Sequence, residues 1–322
     1  MSLFNAYMSL SGALDCEVAR SECLARHTSY RIGGPADLYL ICHSVSALQR
    51  AIRILDREEV RWVVMGGGSN VLVSDEGFKG CVIRLGKGFA GIARSDAGGD
   101  PSDGEANAEP GESNVSRITV GAATSLPRLV NDAMREGHSG LEMLVGVPGT
   151  LGGAITMNAG SRYEWIGSRV LSLVVLRPGE GLVRYSHDDI VWGYRSCSIP
   201  AGEVVLEAEL ELTHKDSKAI SQDMERRLIT KRSTQPITEA SCGSVFRNPE
   251  QGGSVAMLVE ELGLKGYSVG GARISEKHAN FIVNTGNATA EDVIGIIRHV
   301  HEQVKEGYGI DLQTEVRFLG FA

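Results

Sequence analysis

Two glycine-dense segments constrain this chain more than any other feature. The first, Gly66-Gly67-Gly68-Ser69-Asn70, directly follows the apolar run Trp62-Val63-Val64-Met65. Glycine has no Cβ, so three in a row leave backbone N–H groups open to close approach by an anion, as in phosphate-cradling turns. The segment is not G-x-G-x-x-G, because Val71 occupies the third position. It is not a P-loop either, since no Gly-Lys-Ser/Thr follows. Taken alone, a tight turn between strands stays open as the plainer reading. The second segment runs Gly146-Val147-Pro148-Gly149-Thr150-Leu151-Gly152-Gly153-Ala154 and continues to Met157-Asn158-Ala159-Gly160. Pro148 fixes φ, and Thr150 stands where it can cap a helix beginning at Leu151. A helix start behind a glycine turn favours a pyrophosphate through its dipole and free N–H groups. A glycine-rich helix start packed on a strand is the competing explanation. Two such loops in one chain favour a dinucleotide cofactor more than either does separately.

The rest of the sequence narrows the class. At 322 residues the chain is long enough for two or three domains. Its formal net charge of −8 gives a non-specific nucleic-acid role no electrostatic support. Cys16, Cys23, Cys42, Cys81, Cys197 and Cys242 are scattered and form no C-x-x-C, so they read as reduced thiols of a cytoplasmic protein. No basic segment precedes an apolar stretch at the N-terminus, and no apolar run is long enough to span a membrane, so neither a leader nor a membrane span is expected. His299 and His301 are two apart on a predicted helix and point to different faces, so no metal is expected.

Periodicity places the elements. Ser46 to Arg57 reads as an amphipathic helix with Leu48, Ile52 and Leu55 on one stripe. Val71 to Val73, Val82 to Leu85 and Val170 to Leu176 read as strands. Leu206, Ala208, Leu210 and Leu212 alternate with three glutamates, as in a half-buried strand. Ser95 to Ser116 holds six acidic residues and no basic one, which predicts a solvated loop joining two strands. Ser125 is placed to cap a helix carrying Leu126, Leu129, Val130 and Met134. Further helices are predicted around Ile220, Met224 and Leu228, over Ala256 to Leu262, and after Thr289. A final strand from Leu312 to Phe318 would set Gln313, Glu315 and Arg317 on one face. The chain thus divides into 1–85 joined by 311–322, then 86–214 with the acidic loop, then 215–310.

A third constellation is Ser241-Cys242-Gly243-Ser244-Val245-Phe246-Arg247-Asn248-Pro249, where small residues surround a hydroxyl. No Gly-x-Ser-x-Gly elbow is present, which argues against a hydrolase serine, and on residue type alone Ser244 reads as a turn serine. Arg195, in Tyr194-Arg195-Ser196 between two predicted strands, and Glu315 would each read alone as surface charges. Spacing does not unite these three.

The ordered set of motifs does. From His27-Thr28-Ser29-Tyr30-Arg31-Ile32-Gly33-Gly34 through both glycine segments, Tyr194 to Ser196, Gly243 to Pro249, Gly263-Leu264-Lys265-Gly266 and Ser275-Glu276-Lys277-His278-Ala279-Asn280-Phe281-Ile282-Val283-Asn284 to Glu315-Val316-Arg317, the chain resembles the UDP-N-acetylenolpyruvoylglucosamine reductase family, in its shorter type II branch. The resemblance implies an α+β fold: two FAD-binding subdomains of the PCMH/vanillyl-alcohol-oxidase type, plus a C-terminal α/β substrate domain. It implies non-covalent FAD, NADPH as electron donor, and UDP-N-acetylglucosamine enolpyruvate as the substrate reduced to UDP-N-acetylmuramate for peptidoglycan. It implies a cytoplasmic enzyme with no nucleic-acid, membrane or obligate protein partner. On the family pattern Ser244 matches the proton donor, and Arg195 with Glu315 the pair that stabilises an enolate-like intermediate. The cofactor positions would be Tyr30, Arg31, Ile32, Gly33, Met65, Gly66, Gly67, Gly68, Ser69, Asn70, Val71, Val147, Pro148, Gly149, Thr150, Gly152, Gly153, Ala154, Met157, Asn158, Val205 and Arg317. The substrate positions would be Tyr194, Arg232, Asn248 and His278. Ser161-Arg162-Tyr163 stands where the family pattern has Ala-Tyr-Gly. Another FAD-dependent oxidoreductase of the same fold would explain the glycine loops, but not Gly243 to Pro249 together with Glu315. A non-catalytic nucleotide-binding module would need neither Arg195 nor Ser244.

Overall fold

The computed structural model describes residues 3–12, 15–94 and 115–321. In chain order the first elements are α1 (Leu3–Leu10), β1 (Cys16–Cys23), β2 (Pro35–Cys42), α2 (Val45–Arg57), β3 (Trp62–Val64), β4 (Val71–Val73) and β5 (Phe78–Leu85). There follow β6 (Ile92–Arg94), β7 (Val115–Gly121), α3 (Leu126–Arg135), β8 (His138–Ser139), α4 (Leu151–Thr156), β9 (Val170–Arg177), β10 (Gly181–Ser186), β11 (Trp192–Gly193), β12 (Ser196–Cys197) and β13 (Val204–His214). The last are α5 (Ser217–Thr234), α6 (Val255–Glu261), β14 (Ser268–Val269), β15 (Ala272–Ile274), β16 (Ile282–Asn284), α7 (Ala290–Tyr308) and β17 (Arg317–Leu319). The chain groups into two compact units. One is Met1–Ile41, Ile54–Arg84 and Thr230–Ala322; the other is Cys42–Arg53 and Leu85–Ile229.

In the first unit a four-stranded sheet has the order β1-β2-β5-β3, with β3 parallel to β5. β17 pairs parallel with β4, so the end of the chain returns to its first third. One apolar core joins Tyr30, Ile32 and Leu72 to Cys242, Val245, Phe246, Ile282 and the α7 residues Val293, Ile296 and Val300. The start of α7 is closed by Thr289 and Asp292, which form a capping box. Asp75 adds a second clamp, accepting from the N–H groups of Ala290 (2.8 Å) and Glu291 (3.2 Å).

The second unit is built on an antiparallel sheet of order β10-β9-β13-β7-β6, with β8 also on β13. Leu206, Ala208, Leu210 and Leu212 of β13 are buried and the intervening glutamates half-exposed, as the alternation predicts. Leu126, Leu129 and Val130 of α3 and Leu151 and Ile155 of α4 pack on this face with Leu173 and Val175 of β9. Ser125 and Thr150 stand at the N-cap positions of α3 and α4, but neither side chain makes a capping bond. The backbone does the work instead: Ser125 and Thr150 bridge each other, and the N–H of Leu126 donates to the Gly149 carbonyl at 3.0 Å. Residues 95–114 of the predicted acidic loop lie outside the described residues; Val115 and Ser116 already belong to β7, which pairs antiparallel with β6.

The predicted strand over Leu312 to Phe318 needs correction, because only Arg317–Leu319 is a regular strand. The N–H groups of Glu315 (2.7 Å) and Val316 (3.5 Å) both point at the Val245 carbonyl, two residues against one. That is the hydrogen-bond pattern of a β-bulge, which bends a strand and re-aims its side chains. Glu315 is consequently 9% exposed and Val316 3%, whereas Gln313 and Arg317 on either side are exposed.

Candidate active site

In the first unit, the turn carrying Tyr30, Arg31, Ile32 and Gly33 closes through the Arg31 N–H on the Thr28 carbonyl (3.3 Å) and the Thr28 hydroxyl on the Ile32 carbonyl (3.3 Å). It lies against the glycine loop, where the Ser29 N–H donates to the Gly68 carbonyl at 3.1 Å. Gly68 has φ +63°, and a Cβ there would stand 2.1 Å from the His27 carbonyl oxygen. Gly68 is therefore glycine for the sake of the chain's own backbone. Its neighbours differ: among the described residues, the N–H groups of Gly66 and Gly67 donate to no acceptor. They fit a phosphate oxygen, which needs backbone donors that nothing else engages. Met65 behind them is buried, with its N–H on the Ile83 carbonyl (2.9 Å). The loop's exit is tied to the chain's last strand: the Asn70 amide donates to the Glu315 carbonyl (3.2 Å), and the Arg317 N–H to the Asn70 carbonyl (3.0 Å). Val71, the first residue of β4, is opposite Arg317 in the parallel pair.

Ser244 and Glu315 come together on adjoining segments of this same unit. Gly243, at φ +81°, turns the chain out of the buried Cys242. Ser244 follows half-exposed and bridges Phe281, and Val245 then accepts the Glu315 N–H. Burial pushes the Cys242 thiol up to about 12, with the nearby Glu315 carboxylate adding to the effect. Cys242 is thus a neutral core residue and no nucleophile. Tyr30 is fully buried and its hydroxyl pKa is raised well above the ordinary value by the same desolvation, with Cys242 contributing. Asn248 accepts from the Val255 N–H (3.0 Å) at the start of α6. His278 accepts the Asn280 N–H at Nδ1 (3.3 Å), and burial, then Lys265, lowers its pKa. Its neutral ring therefore carries its proton on Nε2, where it can donate. Arg232 is exposed near the end of α5.

The remaining site residues lie in the second unit. Val147, Pro148, Gly149 and Thr150 lead into α4, which contains Gly152, Gly153 and Ala154; Met157 and Asn158 follow it. Asn158 is buried, with φ 43°. Its amide donates to the Gly193 carbonyl (2.8 Å) and its oxygen accepts from the Gly167 N–H (3.0 Å). Gly193 pairs with Ser196, so Tyr194 and Arg195 form the two-residue loop of the β11–β12 hairpin. Arg195 has φ 57°, a left-handed backbone that few non-glycine residues hold. Its guanidinium donates to the Gly160 carbonyl and lies 5.5 Å from the Tyr194 ring centre, and that of Arg162 lies 5.6 Å from it. Val205 is buried in β13.

Residues 36–186 match the family model described as an FAD binding domain, and residues 235–319 the model described as the C-terminal domain of UDP-N-acetylenolpyruvoylglucosamine reductase. A UDP-N-acetylenolpyruvoylglucosamine reductase of Bacillus subtilis is 38% identical over 306 residues, covering 94% of each chain. That of Halalkalibacterium halodurans is 37% identical over 307 residues, covering 94% of this chain and 95% of its own. This chain belongs to the UDP-N-acetylenolpyruvoylglucosamine reductase family. The crystal structure of the Thermus caldophilus reductase superposes with a TM-score of 0.75 at 33% identity, covering 94% of this chain and 98% of that one.

Membership makes the chain a flavin oxidoreductase with FAD as cofactor and confirms the α+β fold. The family's motif residues divide between the two units. Ser244, Glu315, Asn248, His278, Arg232, Arg317 and the Tyr30 and Gly66 segments fall in the first, and Arg195, Tyr194, Val205 and the Val147 to Asn158 segment in the second. Among the described residues no group of three histidine, cysteine, aspartate or glutamate side chains could hold a metal, and no helix is long and apolar enough to cross a membrane. Asn280 leaves no local signal in the sequence, because the Phe246 backbone groups that its side chain bonds lie 34 residues earlier in the chain.

Proposed function

We propose that this chain catalyses the NADPH-dependent, FAD-mediated reduction of UDP-N-acetylglucosamine enolpyruvate to UDP-N-acetylmuramate, a peptidoglycan precursor, in the cytoplasm. The observation that carries the reading is the join at Val245, which sets the Ser244 hydroxyl and the re-aimed Glu315 on hydrogen-bonded neighbouring segments. Such a pair is what addition across an enolpyruvyl double bond requires, one group to deliver a proton and another to order the developing charge.

When bound, FAD supplies the hydride that passes from NADPH to C3 of the enolpyruvyl group. Ser244 gives its hydroxyl proton to C2, completing the addition of one hydride and one proton. Arg195 and Glu315 stabilise the enolate-like state in which charge spreads over C2 and the carboxylate. A guanidinium already held by the Gly160 carbonyl and the Tyr194 ring suits this role, since less of its side-chain freedom remains to be lost when it binds. FAD is held by the Tyr30 to Gly33 turn, by Met65 to Val71 with the open amides of Gly66 and Gly67, by Val147 to Ala154 with Met157 and Asn158, and by Val205 and Arg317. Tyr194, Arg232, Asn248 and the neutral His278 contact the sugar nucleotide. In domain terms, 1–85 with 311–322 and 86–214 bind the flavin, and 215–310 binds substrate. No obligate protein partner is required.

The test is a steady-state assay with the enolpyruvyl sugar nucleotide, with and without NADPH, on protein showing the absorbance of oxidised flavin. NADPH oxidation that depends on the sugar nucleotide is the expected result. Oxidation at the same rate without it would overturn the proposal.

A further inference from the structure

The segment that carries Ser244 is too short to be a strand, yet the chain binds it on both sides. On one side the Val245 carbonyl accepts from Glu315, the Arg247 N–H donates to the Gln313 carbonyl (2.9 Å), and Phe246 bridges Thr314. In this antiparallel register the N–H and carbonyl of Phe246 point away from Thr314. Phe246 is buried, so both groups need partners away from water. In a regular sheet a third strand would provide them through its backbone. Here the neighbouring chain turns instead, with the Phe281 N–H closing on the His278 carbonyl at 3.0 Å.

The Asn280 side chain takes the place of that missing strand. Its oxygen accepts the Phe246 N–H at 2.9 Å and its amide donates to the Phe246 carbonyl at 2.8 Å. Its own carbonyl accepts the Val245 N–H at 2.9 Å, and its N–H goes to His278. The residue is 5% exposed, so these bonds face no competition from water. A side-chain amide donates and accepts side by side as a peptide does, and it carries no charge at any ordinary pH. Hydrophobic contact would bury Phe246 equally well, but it would not set where Val245 and Ser244 stand.

We propose that Asn280 is the positioning residue of the Ser244 proton donor. Resting on the reading of Ser244 given above, the proposal holds that the side chain of Asn280 fixes the backbone of Ser244 and Val245, and through Val245 the bulge at Glu315. Asn280 acts only in the half-reaction that uses Ser244, and it has no part in the reduction of flavin by NADPH.

Stopped-flow measurement of the two half-reactions on the flavin-loaded full chain tests this. For Asn280→Ala, flavin reduction by NADPH and the dissociation constant of the sugar nucleotide stay within about 2-fold of the parent, while reoxidation by the sugar nucleotide falls by ~10²-fold, the cost of a misplacement near 1 Å. Equal slowing of both half-reactions would make Asn280 merely structural and overturn the proposal. Parental reoxidation in Asn280→Ala beside slow reoxidation in Ser244→Ala would overturn the proposal and leave Ser244 as donor. Parental reoxidation in Ser244→Ala would remove the donor assignment and the proposal together. Asn280→Asp gives a second arm, which decides if the alanine variant does not hold flavin. A protonated carboxyl accepts and donates like the amide, but a carboxylate cannot donate to the Phe246 carbonyl. Reoxidation by Asn280→Asp, relative to the parent at each pH, rises as pH falls through the carboxyl's titration. A flat ratio would overturn the proposal.

Discussion

Replacing Gly68 by alanine separates the two reasons a loop glycine can have. Both Gly68 (φ +63°) and Gly243 (φ +81°) hold the left-handed conformation, but only Gly68 faces a wall. A Cβ at Gly243 meets nothing within 4 Å, whereas one at Gly68 stands 2.1 Å from the His27 carbonyl oxygen. For Gly243→Ala the left-handed backbone alone is felt, roughly 1–2 kcal/mol. For Gly68→Ala the same term applies, and the backbone must also open by about 1 Å, which at overpacking costs adds about 1–3 kcal/mol. The wall does not yield easily. The His27 ring is held by Glu22 at 2.9 Å and by the Tyr39 hydroxyl at 3.1 Å. Any gain from a stiffer unfolded chain is common to both variants and cancels in the comparison. Urea unfolding of the flavin-free proteins should therefore place Gly68→Ala below Gly243→Ala by about 1–3 kcal/mol. Flavin titration should show weakened binding for Gly68→Ala alone, because Gly66 and Gly67 move with the wall. Equal destabilisation of the two variants would refute the steric argument.

Ser244→Ala should leave NADPH reduction of the flavin intact and lower product formation by about 10²–10⁴-fold, the usual weight of a positioned proton donor; rapid-mixing flavin absorbance reads both steps. Glu315→Gln should slow only the reoxidation step, whereas loss of flavin from that variant would assign Glu315 to the architecture. Cys81 and Cys242 have thiols pushed up from 9.0 to about 12 by burial. Both should resist alkylation at mildly alkaline pH until the protein unfolds, while the partly exposed Cys16, Cys23 and Cys197 react. Since the folded values are the raised ones, the stability these thiols contribute is complete below pH 9.0 and is lost as pH rises toward about 12, by up to ~1.4 kcal/mol per pH unit for each thiol. A denaturation midpoint that did not fall over that range would contradict their burial.

By itself the sequence determined whatever is local or repeats with a short period. The stripe of Leu48, Ile52 and Leu55 gives a helix, and the alternation from Leu206 to Leu212 gives a strand, because each side chain's face follows from its neighbours. The order of glycine loops and motif residues was enough to identify the family. Tertiary structure decided what depends on partners distant in the chain. The alternation of Gln313, Glu315 and Arg317 predicts a single exposed face, but the Val245 carbonyl takes two amides from this stretch and turns Glu315 inward. Ser125 and Thr150 sit at their cap positions without capping, since each finds the other's backbone first. Asn280 looks like a polar residue in a turn until Phe246, 34 residues earlier, needs two hydrogen bonds that no strand provides. Backbone donors and acceptors must be satisfied wherever water is excluded, and which group satisfies them is settled only when the chain has closed on itself.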